Sequence, residues 1–144
     1  MPEKLEELIR ICREGEVDYR EGAEHVKDPV LKALLHAVSL DRARFAGDLE
    51  QFAARWRSAS TQQLATTAGE LHRNGKHLRF DLANDDAVLA GIEASDEHAR
   101  QCYDEAIKDT ETPEELVGIL RNQAQAIVGT LDRIRALREH RKAA

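Results

Sequence analysis

Apolar residues recur at steps of three and four through most of this chain, which is the spacing that one face of an α-helix requires. The longest such face lies between Leu31 and Trp56 and comprises Leu31, Leu34, Leu35, Val38, Phe45, Leu49, Phe52 and Trp56. Asp41 and Arg42 interrupt it. Because a charge inside a helical bundle needs a partner, this interruption is the feature that most constrains the interior.

Composition agrees with helices packed on helices. Charged residues make up 33% of the 144 residues and aromatic residues only 4%, while prolines are few. A chain of this length is one ordinary domain with enough apolar residues for a core. The sequence therefore predicts an all-α fold and a single helical-bundle domain over residues 1–144.

Capping signals divide the chain into five predicted helices. Asp28-Pro29, Asn84 and Thr112-Pro113 each combine a residue that caps exposed backbone N–H groups with a start of new helical periodicity. The predicted helices span about 3–27, 29–57, 62–82, 85–109 and 113–140.

The third predicted helix is shorter and more polar than the other four. Its narrow stripe consists of Leu64, Ala68, Leu71, Gly75, Leu78 and Leu82. At about 1.5 Å rise per residue, this helix would carry the chain back along the bundle, so that helices two and four run parallel. We therefore predict a ferritin-like four-helix bundle with an additional shorter crossover helix between its second and third helices.

In that topology three acids lie at one level. Glu16 lies about eleven residues from the turn between helices one and two, Asp41 about thirteen, and Asp96 about eleven from the start of helix four. One interpretation is a buried polar layer that fixes helix register. Its other members would be Tyr19, Arg42, Tyr103 and Gln123.

The other interpretation is a metal site formed by Glu16, Asp41 and Asp96, with iron or manganese as the ion. Ferritin-like metal centres combine inward carboxylates with two Glu-x-x-His pairs. Here Arg44 lies three residues after Asp41, where the histidine would stand, and helix five offers only Gln123 at mid-stripe. We favour the polar layer and expect no cofactor, and we keep the metal site as the alternative.

Charge and motifs exclude several classes of function. The formal charge of −6 argues against a nucleic-acid partner. No apolar run is long enough for a transmembrane helix, and the N-terminus lacks the layout of a signal peptide, so we expect a cytoplasmic protein that binds no membrane. No nucleophile and base at recognisable spacing, phosphate loop or zinc motif is present, so we do not expect an enzyme.

The chain also resembles an uncharacterised bacterial family of ferritin-like four-helix-bundle proteins, known as a domain of unknown function. The similarity lies in LEELIRICREGEVDYREGAEHVKDPVLKALL, LDRARFAGDLE, GELHRNGKHLR, ASDEHARQCYDEAI and LDRIRALRE. It implies the bundle fold but no activity. The chain departs from the family pattern at Asp41, Asp48 and Asp96, where glutamate is usual, and at Leu131, where a histidine is common. Shorter carboxylates and a lost imidazole both disfavour a metal centre.

Two functional hypotheses follow. The first is a non-enzymatic bundle that self-associates or binds a protein partner, with a role in a stress response. Its candidate surfaces are the exposed face of the helix from Leu64 to Leu82 and the basic end of helix five. The second is a ferritin-like metal-binding protein or oxidoreductase that uses Glu16, Asp41 and Asp96.

Overall fold

The computed structural model describes residues 2–60 and 81–143, and the regular secondary structure of these residues is helical. Four helices are described: α1 (Pro2–His25), α2 (Pro29–Ser60), α3 (Asp85–Lys108) and α4 (Glu114–Ala143). α3 and α4 correspond to the fourth and fifth predicted helices. The helix predicted over 62–82 lies outside the described residues.

The predicted capping residues bond to the helix ends. Oδ1 of Asp28 accepts from the backbone N–H of Val30 at 2.9 Å, at the start of α2. Oδ1 of Asn84 accepts from the N–H of Ala87 at 2.8 Å, at the start of α3. The hydroxyl of Thr112 instead donates to the carbonyl of Ala106 at 2.7 Å and ties the turn before α4 to the end of α3.

Contacts at the two ends of the bundle fix the direction of each helix. Lys4 at the start of α1 pairs with Asp109 just after α3 at 2.8 Å. At the opposite end, Oδ1 of Asp85 at the start of α3 accepts from the N–H of Lys27, just after α1, at 2.9 Å. α1 and α3 are therefore antiparallel, and α2 and α3 run in the same direction, as the sequence predicts.

The fourth helix returns along the bundle. Arg55 near the end of α2 lies 3.5 Å from Glu115 at the start of α4. Arg141 near the end of α4 lies 3.3 Å from Asp28, which precedes α2. α4 is thus antiparallel to both α2 and α3.

Polar side chains divide the apolar core into two clusters. One cluster includes Leu8, Leu49, Leu116 and Leu120, and the other includes Leu35, Leu89, Ile92 and Ile134. Between them lie Arg42 and Asp96, which are 3% and 2% exposed. The level that the sequence analysis singled out is thus the boundary between two halves of the core.

The C-terminal half of α4 is joined to α3 by ion pairs. Arg138 lies 2.7 Å from Glu93, and Arg135 lies 3.1 Å from Glu93 and 3.0 Å from Glu97. The arginines at the basic end of the last helix therefore have partners within the bundle. None of the helices in the described ranges combines the length and apolarity needed to cross a membrane.

Candidate functional site

The candidate site is the buried polar layer at the middle of the bundle. Arg42 of α2 reaches across to Asp96 of α3. Its Nη1 donates to Oδ1 of Asp96 at 2.6 Å, and its Nη2 donates to Oδ2 at 3.0 Å. This two-point geometry satisfies both carboxylate oxygens and fixes the guanidinium plane.

Tyr19 of α1 completes this part of the layer. Its hydroxyl donates to Oδ2 of Asp96, and the guanidinium carbon of Arg42 lies 5.0 Å from the centre of its ring. The ring face therefore interacts with the cation while the hydroxyl binds the anion. Three helices are joined through one carboxylate.

A glycine of α1, Gly15, lies beside the Arg42 side chain. A Cβ atom at Gly15 would lie 3.4 Å from Nη1 of Arg42 and 3.5 Å from its Cγ. Gly15 is one turn of helix before Tyr19 on α1, so both residues border the same side chain. The backbone of α1 thus lies directly against the guanidinium.

A second hydrogen-bond chain crosses the bundle beside the ion pair. The hydroxyl of Tyr103 donates to Oε1 of Gln123 at 2.8 Å, and Nε2 of Gln123 donates to the carbonyl of Phe45 at 3.3 Å. The Sγ of Cys12 lies 3.0 Å from the Tyr103 hydroxyl. Because the single phenolic proton goes to Gln123, the Cys12 thiol is the donor in this contact. These hydrogen bonds link all four described helices.

Burial and charge hold Arg42 and Tyr19 each in one protonation state. Burial alone would lower the pKa of Arg42, but the hydrogen bonds and charge of Asp96 outweigh it, so the pKa is raised. Burial, followed by the charge of Asp96, raises the pKa of Tyr19 well above its usual value. Arg42 is therefore a permanent cation and Tyr19 a neutral donor at neutral pH.

The groups of the second hydrogen-bond chain, Cys12 and Tyr103, are also held in one protonation state. Burial raises the pKa of the Cys12 thiol to about 11, although Tyr103 and Arg42 act in the opposite direction. Burial also raises the pKa of Tyr103 well above its usual value, with Cys12 as a further cause. Neither group is an anion at neutral pH, so neither is activated as a nucleophile or a base.

The structure places the three predicted metal ligands in different environments. Asp96 is buried and bonded as described above. Glu16 is 17% exposed at its side chain and lies 3.1 Å from Arg13 on the same helix. Asp41 is 51% exposed at its side chain and lies 3.3 Å from Arg44. Each carboxylate has its own arginine, and the structure does not bring the three together.

The described residues contain no cluster of potential metal ligands. Within 2–60 and 81–143, no group of three or more His, Cys, Asp or Glu side chains could hold one metal ion. The metal site predicted from Glu16, Asp41 and Asp96 stays a prediction, and metal analysis is its test.

The position of Asp41 differs from the expectation for a simple geometric reason. Val38, Phe45 and Leu49 are buried on α2, and the residue that continues their spacing of four and three is Arg42. Asp41 is one residue earlier, so it projects about 100° away from that face. The interior charge on α2 is therefore the cation.

Sequence reasoning also missed the polar role of Cys12. Both cysteines are free. Cys12 is buried and hydrogen-bonded, whereas Cys102 is partly exposed. Cys12 continues the helical spacing of Leu5, Leu8 and Ile9, which agrees with its burial, but no sequence signal marks its bond to Tyr103.

These features define an all-helical bundle whose interior is crossed by a paired polar layer. The chain belongs to the family described as the domain of unknown function DUF2383, which it matches over residues 1–109. That match includes α1, α2 and α3, and α4 lies beyond it. No curated protein matched the chain.

Proposed function

We propose that this protein is a non-enzymatic helical bundle that acts through its outer surface, by association with a second copy of itself. The observation that carries this proposal is the saturation of the buried layer. Both oxygens of Asp96 are engaged by Arg42, and the hydroxyl of Tyr103 is bonded to Gln123. A layer whose groups are paired with each other supports structure rather than chemistry.

The proposed surface lies on the outer side of α2. Val30 and Leu40 are large apolar residues that are 77% and 60% exposed. Ala33 and Ala37 are also exposed and lie between them at steps of three and four. These four residues form a continuous apolar stripe of the kind that packs against another helix. We call it the α2 stripe.

The last helix supplies less support for a docking surface. Its basic end was a candidate surface, but Arg135, Arg138 and Arg141 pair with acids of α3 and of the turn before α2. Each of these positive charges already has a carboxylate partner on the bundle surface, so less net positive charge is left to attract an external anion. The α2 stripe is therefore the surface that we propose.

Light scattering coupled to gel filtration tests this proposal over a wide range of protein concentration. We expect the wild type to form a dimer at high concentration and Leu40→Glu to remain monomeric. Val128→Glu is the matched control, because Val128 is 38% exposed on α4 and is not part of the α2 stripe. A wild type that stays monomeric throughout would contradict the proposal. The α2 stripe would then be assigned to a different protein partner instead of a second copy.

The helix directions support a ferritin-like arrangement as part of the same proposal. α2 and α3 run in the same direction, and each is antiparallel to α1 and α4. In ferritin-like bundles the second and third helices run in the same direction, joined by one long connection. In this proposal the helix predicted over 62–82, which falls largely outside the described residues, would form that connection.

A further inference from the structure

We propose that the guanidinium of Arg42 is the resident cation of the polar layer, in the place where a ferritin-like bundle would hold a metal ion. This inference rests on the ferritin-like arrangement proposed above, but it concerns the interior and is independent of the α2 stripe. A negative result in the dimer experiment would leave this inference standing, and a negative result in the tests below would leave the proposed dimer standing.

The donor set does not fit a metal ion. A ferritin-like centre requires carboxylates from several helices to converge on one point. Here Asp96 directs both oxygens at Arg42, with bonds of 2.6 and 3.0 Å. Glu16 and Asp41 lie 3.1 and 3.3 Å from arginines of their own helices. The carboxylates that would coordinate an ion are therefore engaged elsewhere.

The charge of the layer also disfavours a metal ion. Arg42 carries one positive charge and Asp96 one negative charge, and Tyr19, Tyr103 and Gln123 contribute neutral groups. A divalent ion beside this pair would meet the guanidinium at short range in a medium of low dielectric constant, where repulsion between cations is strong. Arg42 does not relieve that repulsion by losing its proton.

The packing around Arg42 provides a further, steric observation. A Cβ atom at Gly15 of α1 would lie 3.4 Å from Nη1, in ordinary van der Waals contact, so the α1 backbone packs closely against the guanidinium. The ring of Tyr19 covers the guanidinium with its centre 5.0 Å from the central carbon. The α1 backbone, the ring face of Tyr19 and the carboxylate of Asp96 thus surround the guanidinium that α2 supplies.

The first test is made on the wild-type protein. It is purified without chelator, incubated anaerobically with Fe²⁺ or Mn²⁺ and passed through a desalting column before elemental analysis. We expect far less than one ion per chain and an unchanged Tm with either ion or with a chelator. Stoichiometric metal together with a raised Tm would overturn the proposal.

The second test removes the cation. Arg42→Ala should lower Tm by about 10 °C, because it leaves Asp96 buried without a counter-charge. Millimolar ethylguanidinium should recover part of this loss in Arg42→Ala and leave the wild type unchanged. Arg44→Ala is the matched control: it removes an arginine that pairs with the half-exposed Asp41, and its Tm should shift by no more than about 2 °C.

Recovery by ethylguanidinium but not by neutral N-ethylurea, which fills the same space without the charge, is the result that a purely steric role would not give. If Fe²⁺ or Mn²⁺ raises the Tm of Arg42→Ala more than ethylguanidinium does, the layer is a metal site and the proposal is wrong. If Arg42→Ala does not fold, the metal analysis of the wild type still decides between a resident guanidinium and a metal site.

Discussion

At the residue scale, Arg42 and Asp41 are neighbours in sequence with opposite environments. Arg42 is 3% exposed and bonded to Asp96, whereas the side chain of Asp41 is 51% exposed and close to Arg44. Burial makes the energetic difference: a charge in the interior needs its partner, while an exposed ion pair contributes little to stability. Position relative to the buried face, more than residue type, sets what each charge contributes.

Replacement of Asp41 measures this difference directly. We expect Asp41→Leu to change the free energy of unfolding by no more than about 0.5 kcal/mol, because the side chain lies in solvent and its pair is a weak one. Urea denaturation followed by circular dichroism measures the change. A loss of several kcal/mol would show that Asp41 belongs to the buried layer after all.

A second residue-scale prediction concerns pH. The hydrogen bond from Arg138 is the largest cause that lowers the pKa of Glu93, followed by that from Arg135. A carboxylate whose pKa is lowered by folding stabilises the protein at pH values above its ordinary pKa of 4.5. That stabilisation is lost as the pH falls further. Arg138→Ala should therefore lower Tm at neutral pH and have a smaller effect below that ordinary value.

Thermal unfolding at several pH values measures this effect, with Arg121→Ala, an exposed change on the same helix, as the control. A loss of stability in Arg138→Ala that is equal at neutral and acid pH would contradict the role of the ion pair.

At the element scale, two helical glycines have different surroundings. A Cβ at Gly22 of α1 would lie 3.1 Å from both Ile92 and Val88 of α3. A Cβ at Gly47 of α2 would meet nothing within 4 Å. Gly22 thus sets the close approach of α1 to α3, which aligns Tyr19 with Asp96, while Gly47 has no such role among the described residues.

Alanine at the two positions should have opposite effects. Gly22→Ala should destabilise the protein by about 1 kcal/mol, since core side chains must shift to admit the methyl group. Gly47→Ala should stabilise it by a similar amount, about 1 kcal/mol, through higher helix propensity. Denaturant unfolding of both variants tests the pair. A stabilising Gly22→Ala would mean that α1 and α3 have room to spare.

At the scale of the whole molecule, the polar layer joins all four described helices between the two apolar clusters. The ion pair links α2 to α3, Tyr19 adds α1, and the chain through Tyr103 and Gln123 adds α4. The family match ends at residue 109, yet Leu116, Leu120 and Ile127 of α4 lie in the core. The fourth helix is therefore part of the same packed unit.

Periodicity and capping residues were sufficient to predict the described helices and the direction of α2 relative to α3. Asp96 and Gln123 both continue an apolar stripe, and both are buried. The partner of Asp96 was not predictable in the same way. The spacing of Val38, Phe45 and Leu49 places Arg42 on the inner face of α2, but only the packed structure shows that its guanidinium meets Asp96.

The central claim is that Arg42 and Asp96 neutralise each other in the interior, and a double-mutant cycle tests it most directly. The free energies of unfolding of the wild type, Arg42→Met, Asp96→Asn and the double variant are compared. Each single variant leaves one buried charge unpaired and should lose about 3 kcal/mol. The double variant keeps an acceptor for Tyr19 and has no charge, so it should lose less than either single variant. Losses that simply add would contradict the account, because they would mean that the two charges are neutralised independently.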